Sequence, residues 1–452
     1  MNRRVGAESF LGVGGGTVSK ESQKNLEKAE DLCRKRKPEK ALPFLLKAME
    51  DGNNLDAAVQ MAFLMPNLNV SVKVLEGAEE HGRKHLQRSL GPKCFEDGSD
   101  HVGNFWGILE TRPYMRVLQA LARLYYENKQ FDKSANTIIE TLRLCPGDNM
   151  GQREWLPSVL LKVGRAADTL SFVQFWLEDS DDRSSPRGGC EFVAPSRATM
   201  DAARVESLSK WCMGAMAYSG ALAAYTLWGD CLLARQYLRI GAKVNPHVLM
   251  KILDKVEQPR SLNMDARTFN GPEQAHDYLW LTQDLWMEPC VWAWADGDAE
   301  AKACVLRKCS RPDCGRLEER VAEFKRCGGC KEAVYCGPEC QKEDWKVHKA
   351  SAYLAPFSSL LFFLCFLFRL LSLFILFLPS VDPVPPHVPR EASPMARLVL
   401  TPHAECQEAK RIKELVRAMG QGKKPPGTPS EGYPLAAAAD FTASGISTRF
   451  YN

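Results

Sequence analysis

The chain has 452 residues, with 59 basic and 55 acidic side chains for a net charge of +4, 45% hydrophobic and 25% charged residues. That length suggests about three domains, and the composition excludes a wholly disordered, collagen-like or multi-span membrane protein. The balanced charge leaves no electrostatic footprint for nucleic acid or an anionic membrane surface, so no nucleic-acid partner is expected. Residues 1–20 contain glycine and serine and are expected to be a disordered tail. They carry no apolar core of the kind that marks a secretory signal. Of the 16 cysteines, seven fall between Cys304 and Cys340 and the rest are scattered singly. Scattered cysteines without a signal suit a reducing compartment, so a cytoplasmic or nuclear location is expected. The cluster is then read as metal-binding rather than disulfide-bonded.

From 21 to 300 the apolar pattern is helical, and three stretches read as helix–turn–helix units. The clearest is 115–146, with Leu118, Leu121, Ala122 and Tyr125 on one helix face, a polar turn from Glu127 to Gln130, then Ser134, Ile138 and Thr141 before Pro146. The stretch 218–246 repeats this logic with Tyr225, a turn at Gly229-Asp230, then Ala234, Leu238, Gly241 and Pro246. A weaker unit, 22–50, offers Ala29, Leu32, Ala41, Leu45 and Ala48. Small residues at Ala41, Ser134 and Ala234 let paired helices approach closely, and proline ends the second helix because it lacks an N–H. The three anchors lie about a hundred residues apart where a tandem array would space them by ~34, so other helices must intervene. The segment 178–198, acidic and then rich in Ser, Pro and Gly, is expected to be a mobile insertion. Trp280, Trp286, Trp292 and Trp294 are expected to pack between the last helices, with a seal against the following module as their alternative role.

These units resemble the tetratricopeptide repeat. A sharper resemblance over about 105–295 rests on Thr111-Arg112-Pro113-Tyr114, Cys145-Pro146-Gly147-Asp148-Asn149-Met150-Gly151 and Asn245-Pro246-His247-Val248. Those strings look like the tetratricopeptide family that includes the suppression-of-tumorigenicity proteins, although Cys145 stands where that family has Asn. The resemblance implies a helical interaction scaffold and supplies no catalytic residues.

The ligand series is Cys309-x4-Cys314-x12-Cys327-x2-Cys330-x5-Cys336-x3-Cys340-x7-His348. Thiolates and an imidazole at these spacings suit tetrahedral Zn²⁺, and seven ligands exceed one site, so two zincs per chain are implied. Gly328 and Gly329 are expected to turn the Cys327–Cys330 knuckle through positive φ. The order resembles the MYND zinc finger over about 309–350, most specifically in Tyr335-Cys336-x3-Cys340-Gln341-x3-Trp345-x2-His348. The resemblance implies interleaved ligands: Cys309, Cys314, Cys336 and Cys340 for the first zinc, and Cys327, Cys330, His348 and an eighth cysteine for the second. It also implies a groove for proline-containing peptides lined by Gln341 and Trp345. Cys304 is expected to be a neighbour, not a ligand.

The family pattern asks for His-x3-Cys, but Ala352 stands where the last cysteine belongs. Removing 351–404 would read His348-Lys349-Ala350-Glu405-Cys406, which restores the spacing and names Cys406 as the eighth ligand, followed by a closing helix over 405–419. Residues 351–404 are rich in Phe, Leu, Ser and Pro, whose codons include all-pyrimidine ones, as expected of a retained intron. The alternative is a single-pass membrane span at 359–378, where 15 Leu and Phe outweigh Arg369. A true span would place Cys406 across the bilayer from His348, so the two readings exclude each other. Residues 420–452 are expected to be a disordered tail.

The expected architecture is therefore mainly α: interrupted tetratricopeptide-like hairpins over 21–300, then a small cross-braced two-zinc finger over 304–350. The expected function is protein–protein interaction with zinc as the cofactor, the finger docking proline-containing peptides and the hairpins a second partner. One alternative is a membrane-anchored zinc-finger protein. Another is a lysine methyltransferase, since MYND fingers also accompany SET domains, but the sequence holds neither an Asn-His-Ser-type string nor a Gly-Glu-Glu-Leu-type turn. It also lacks Gly-x-Ser-x-Gly, a phosphate loop and His-Glu-x-x-His, so no catalytic residue is assigned.

Overall fold

Several helices here begin where a side chain accepts from a first-turn amide, and several end where the following backbone turns left-handed. The computed structural model describes residues 4, 6–177, 186–330 and 332–349. The described residues through Asp344 form one unit, and 345–349 are the described part of a second. A short helix, α1 (Ala7–Leu11), precedes α2 (Lys20–Arg34), which Ser19 caps by accepting from the Ser22 N–H at 3.2 Å. α3 (Pro38–Met49) returns along α2, with Pro38 in its first turn, where no amide bond is lost. The turn between them holds Arg36 at φ 57, and Lys37 N–H donates to Leu32 O at 2.9 Å.

α4 (Leu55–Leu64) and α5 (Leu68–Ser89) follow, capped by Asn54 and Asn67. Next comes the hairpin of α6 (Arg112–Glu127) and α7 (Phe131–Leu144). Its turn repeats the earlier geometry: Lys129 sits at φ 59 and Gln130 N–H donates to Tyr125 O at 2.8 Å. After α8 (Leu156–Lys162), α9 (Ala166–Leu177) and α10 (Ala202–Lys210), a third hairpin joins α11 (Gly214–Trp228) to α12 (Leu232–Val244) through Gly229 at φ 67. α13 (Pro246–Leu253), α14 (Pro272–Trp286), α15 (Pro289–Gly297) and α16 (Ala299–Ala303) complete the helical region.

The three predicted hairpins are thus α2–α3, α6–α7 and α11–α12, and the intervening helices account for the wide spacing of their anchors. Ala41, Ser134 and Ala234 are all fully buried at the helix crossings. Ser134 is tolerated there because its hydroxyl donates to Ala122 O at 2.7 Å. Gly241 has the same role in the third pair: a Cβ there would lie 3.1 Å from the Tyr218 ring.

Two expectations are corrected. Residues 1–20 were expected to be disordered, yet the described part, residue 4 and 6–20, is packed: Val13 is fully buried and Glu8 nearly so. Arg116 donates to Glu8 at 2.6 and 3.1 Å and to Asp56 at 2.6 and 2.7 Å, so one buried guanidinium holds two carboxylates. The glycines that read as disorder form a tight turn, with Gly14 at φ 59 and its N–H on Glu8 Oε1 at 3.3 Å. The segment 178–198 was expected to be mobile. Its residues 178–185 lie outside the described residues, but 186–198 is fixed to the fold. Cys190 is buried, and the Gln174 amide donates to Ser196 O at 2.8 Å while accepting from Ser196 N–H at 2.9 Å.

The tryptophans pack as expected. Trp286 is fully enclosed, its indole N–H 3.2 Å from the Tyr278 hydroxyl and its ring edge-on to Tyr218. Trp292 donates to Ile252 O at 3.0 Å and Trp294 to Asp230 at 3.1 Å. Asp298, fully buried, caps α16 through the Ala301 N–H and pairs with Arg235 and Arg239 at 2.9 and 3.1 Å. Buried Val305, just past α16, still belongs to the helical core. No described helix is long and apolar enough to cross a membrane, and the predicted span at 359–378 lies outside the described residues.

Candidate metal centre

The module after α16 is built from very short elements. β1 (Lys325–Arg326) pairs antiparallel with β2 (Val334–Tyr335), Lys325 opposite Tyr335. An isolated bridge joins Lys308 to Leu317. Residues 338–349 form a further helix, α17. Neither pairing is long enough to persist alone in water. Around them the enclosed residues are Cys309, Phe324, Cys327, Val334, Tyr335 and Cys340.

The sulfurs of Cys309, Cys314, Cys336 and Cys340 all lie within 4.8 Å of one another. Cys314 and Cys336 are 3.6 Å apart and Cys336 and Cys340 3.4 Å. Those separations are too long for a disulfide, near 2.05 Å. They suit the edges of a tetrahedron of thiolates around zinc, which a Zn–S bond of about 2.3 Å sets at roughly 3.8 Å. The donor set therefore fits Zn²⁺. Without metal the sulfurs disturb one another. The Arg316 backbone N–H brings the Cys314 thiol down to about 7, while neighbouring Cys336 pushes Cys340 up to about 12. A zinc ion replaces that competition with four thiolates, and a site closed by four protein ligands is structural.

Cys327, Cys330 and His348 form a second group with ligand atoms within 4.8 Å. Its knuckle corrects one expectation: neither Gly328 nor Gly329 adopts positive φ. The turn is set by hydrogen bonds instead. Cys327 N–H donates to Ala333 O at 2.8 Å, and the Glu332 and Ala333 N–H groups both point at Cys330 Sγ at 3.4 Å. Positive φ occurs at Gly315 and Ala322, between the ligand pairs. Cys304 stands outside both groups, its thiol on Glu300 O. Cys406 lies outside the described residues.

Two supporting roles were not anticipated. Glu318 is buried, and its carboxylate accepts from Arg307 N–H at 2.8 Å and Phe324 N–H at 2.9 Å, which fixes the long loop between Cys314 and Cys327. Tyr335 donates to Asp344 at 2.7 Å and so ties β2 to α17. In sequence Glu318 is one acid in a charged run, with nothing to distinguish it from Glu319. On α17, Gln341 is half-buried and Trp345 is 44% exposed, with its ring 6.1 Å from that of His348.

A small closed module whose cysteines alternate between two metal groups defines a zinc finger. Residues 307–351 match the family model of the MYND finger. The chain thus carries a MYND finger, a zinc-binding module of protein–protein interaction, at the end of a helical region. Among curated proteins, the MYND-type zinc finger protein samB of Aspergillus clavatus is 33% identical over 130 residues, covering 25% of this chain and 21% of that protein. Its counterpart from Aspergillus flavus is 26% identical over 126 residues, 23% and 21% of the two chains. The N-lysine methyltransferase SMYD2 of Rattus norvegicus is 48% identical over 50 residues, 11% and 12% of the two chains. The chain therefore spans about a fifth of the samB proteins it matches. No solved structure matches.

Proposed function

We propose that this protein is a non-catalytic docking scaffold whose finger binds proline-containing peptides on the Gln341 and Trp345 side of α17. The observation that carries this reading is Trp345, a large aromatic residue left 44% exposed on a metal-braced helix. An exposed aromatic face suits an extended proline-rich ligand, which loses little entropy on docking. The paired helices α2–α3, α6–α7 and α11–α12 are proposed to act as a tetratricopeptide-like surface for a second partner, in the manner of the suppression-of-tumorigenicity family.

The second zinc is proposed to take Cys327, Cys330 and His348, with Cys406 as the fourth ligand once 351–404 is absent. A chain lacking 351–404 should then hold two zincs tightly and the full chain one tightly and one weakly. Metal analysis showing equal tight binding of two in both would overturn this assignment. The membrane reading of 359–378 is the competing account of the same residues. Transcripts read across codons 349 to 406 decide between them.

The docking reading is tested by fluorescence titration of a labelled proline-rich peptide. Trp345→Ala should weaken binding at least tenfold with zinc content unchanged. Equal binding by wild type and variant would refute it. A purified chain that transferred methyl groups would refute the non-catalytic part. The relative that carries that activity in its name matches this chain over 50 residues only.

A further inference from the structure

A cavity of about 70 Å³ lies within the helical region, between α6, the segment leading into α8, the loop at 262–267 and α14. It takes in Met150 and Gly151, the end of the Cys145–Gly151 string, which neither zinc group uses. By the measure in which one water needs 10–15 Å³, it holds roughly five waters, far below the space a cofactor needs. Met150, Trp155, Leu262, Met264 and Leu281 supply apolar wall.

The polar wall is unevenly satisfied. Arg267 is paired with Asp277 at 2.6 Å, and Asp277 also accepts from Asn263 N–H at 2.7 Å. Arg123 is paired with Glu127 at 2.6 Å. Gln119 donates to Met150 O at 2.7 Å. Two acceptors remain. Gln152 is 5% exposed, and its side-chain oxygen has no hydrogen-bond partner. Glu154, on the cavity wall and partly buried, has no hydrogen bond or ion pair among the described residues. Burial, and then neighbouring Asp277, lift its carboxyl to about 7 against the opposing pull of Arg267, which is itself paired with Asp277. A smaller adjoining cavity shares Glu154 and Tyr278, and there the Asn245 side-chain oxygen is also buried without a partner.

We propose that this cavity binds a protonated primary amine on a short alkyl chain, the chemistry of a lysine side chain. The ion pairs around the cavity cancel, which leaves one negative charge on Glu154 and calls for one positive charge. An ammonium carries three donors and no acceptor. The two Glu154 oxygens and Gln152 Oε1 offer three acceptors, and the apolar wall suits the methylene stem. The amine can come from a lysine of a partner peptide or from a free alkylamine.

The test is calorimetric titration of the full chain at pH 8 with N-acetyl-lysine amide, its uncharged analogue N-acetyl-norleucine amide, and pentylamine. The lysine amide should bind, the norleucine amide should bind at least tenfold more weakly, and Glu154→Gln should weaken the lysine amide at least tenfold with the far-UV circular dichroism unchanged. Tighter binding of the lysine amide than of pentylamine assigns the site to a peptide lysine; the reverse assigns it to a free amine, and both support the amine chemistry. If Glu154→Gln does not fold, Gln152→Glu serves instead, since an added carboxylate should tighten the lysine amide. No heat with either amine, equal binding of the lysine and norleucine amides, or binding indifferent to both substitutions would overturn the proposal.

Discussion

In the helical region Trp286, Tyr218 and Tyr237 are each fully enclosed by neighbouring helices. In the finger the described core has six residues, and three of them are cysteines. One region excludes water with apolar bulk. The other uses its few enclosed positions to gather metal ligands, so the energy of folding must come from the metal. The sharpest way to break this contrast is metal removal. Structural zinc contributes on the order of 10–16 kcal/mol in comparable small modules. A strong chelator should therefore unfold the finger and collapse the dispersed NMR signals of Val334 and Tyr335, while the far-UV helical signal persists. Simultaneous loss of both signals would show that the two regions share one cooperative unit.

The next largest effect belongs to the helical region. Arg116→Met removes the guanidinium that Glu8 and Asp56 share and leaves them the longer contacts to Arg112 at 3.8 Å and Arg4 at 3.9 Å, which should cost about 3–5 kcal/mol. The urea midpoint should fall with zinc content unchanged. In the finger, Glu318→Ala strands the Arg307 and Phe324 amides at about 1–3 kcal/mol each. It should lower zinc affinity in a competition assay and leave the helical midpoint alone, the mirror image of the Arg116 result. Gly241→Ala presses a methyl group against the Tyr218 ring and should cost about 1–3 kcal/mol in thermal unfolding. Trp345→Ala, half in solvent, should change stability by no more than ~0.5 kcal/mol. It then separates a surface that binds from one that holds the module together.

What could be read from the chain alone follows the range of the forces involved. Ala41, Ser134 and Ala234 mark helix crossings because close approach needs a small residue at one position, and that requirement is visible locally. The sulfur ligands are legible for the same reason: coordination chemistry constrains spacing within a few dozen residues, and the first group assembles as the MYND resemblance implied. Glu8 was hidden because its partner Arg116 lies 108 residues away and no local pattern announces an ion pair of that reach. Glu318 was hidden because its worth lies in accepting two backbone amides, which any acid in a charged run could do. The Gly328-Gly329 pair misled because glycine permits a left-handed turn without requiring one, and sulfur-directed hydrogen bonds made the knuckle without it.

The Glu8–Arg116 contact also sets an order of events during synthesis. At ~5–20 residues per second, Arg116 leaves the ribosome roughly 5–20 s after Glu8. Until then Glu8 on α1 and Asp56 on α4 lack the guanidinium they share. α1 therefore cannot lock onto the fold until α6 has been made, and a nascent-chain chaperone would have that interval in which to act on it.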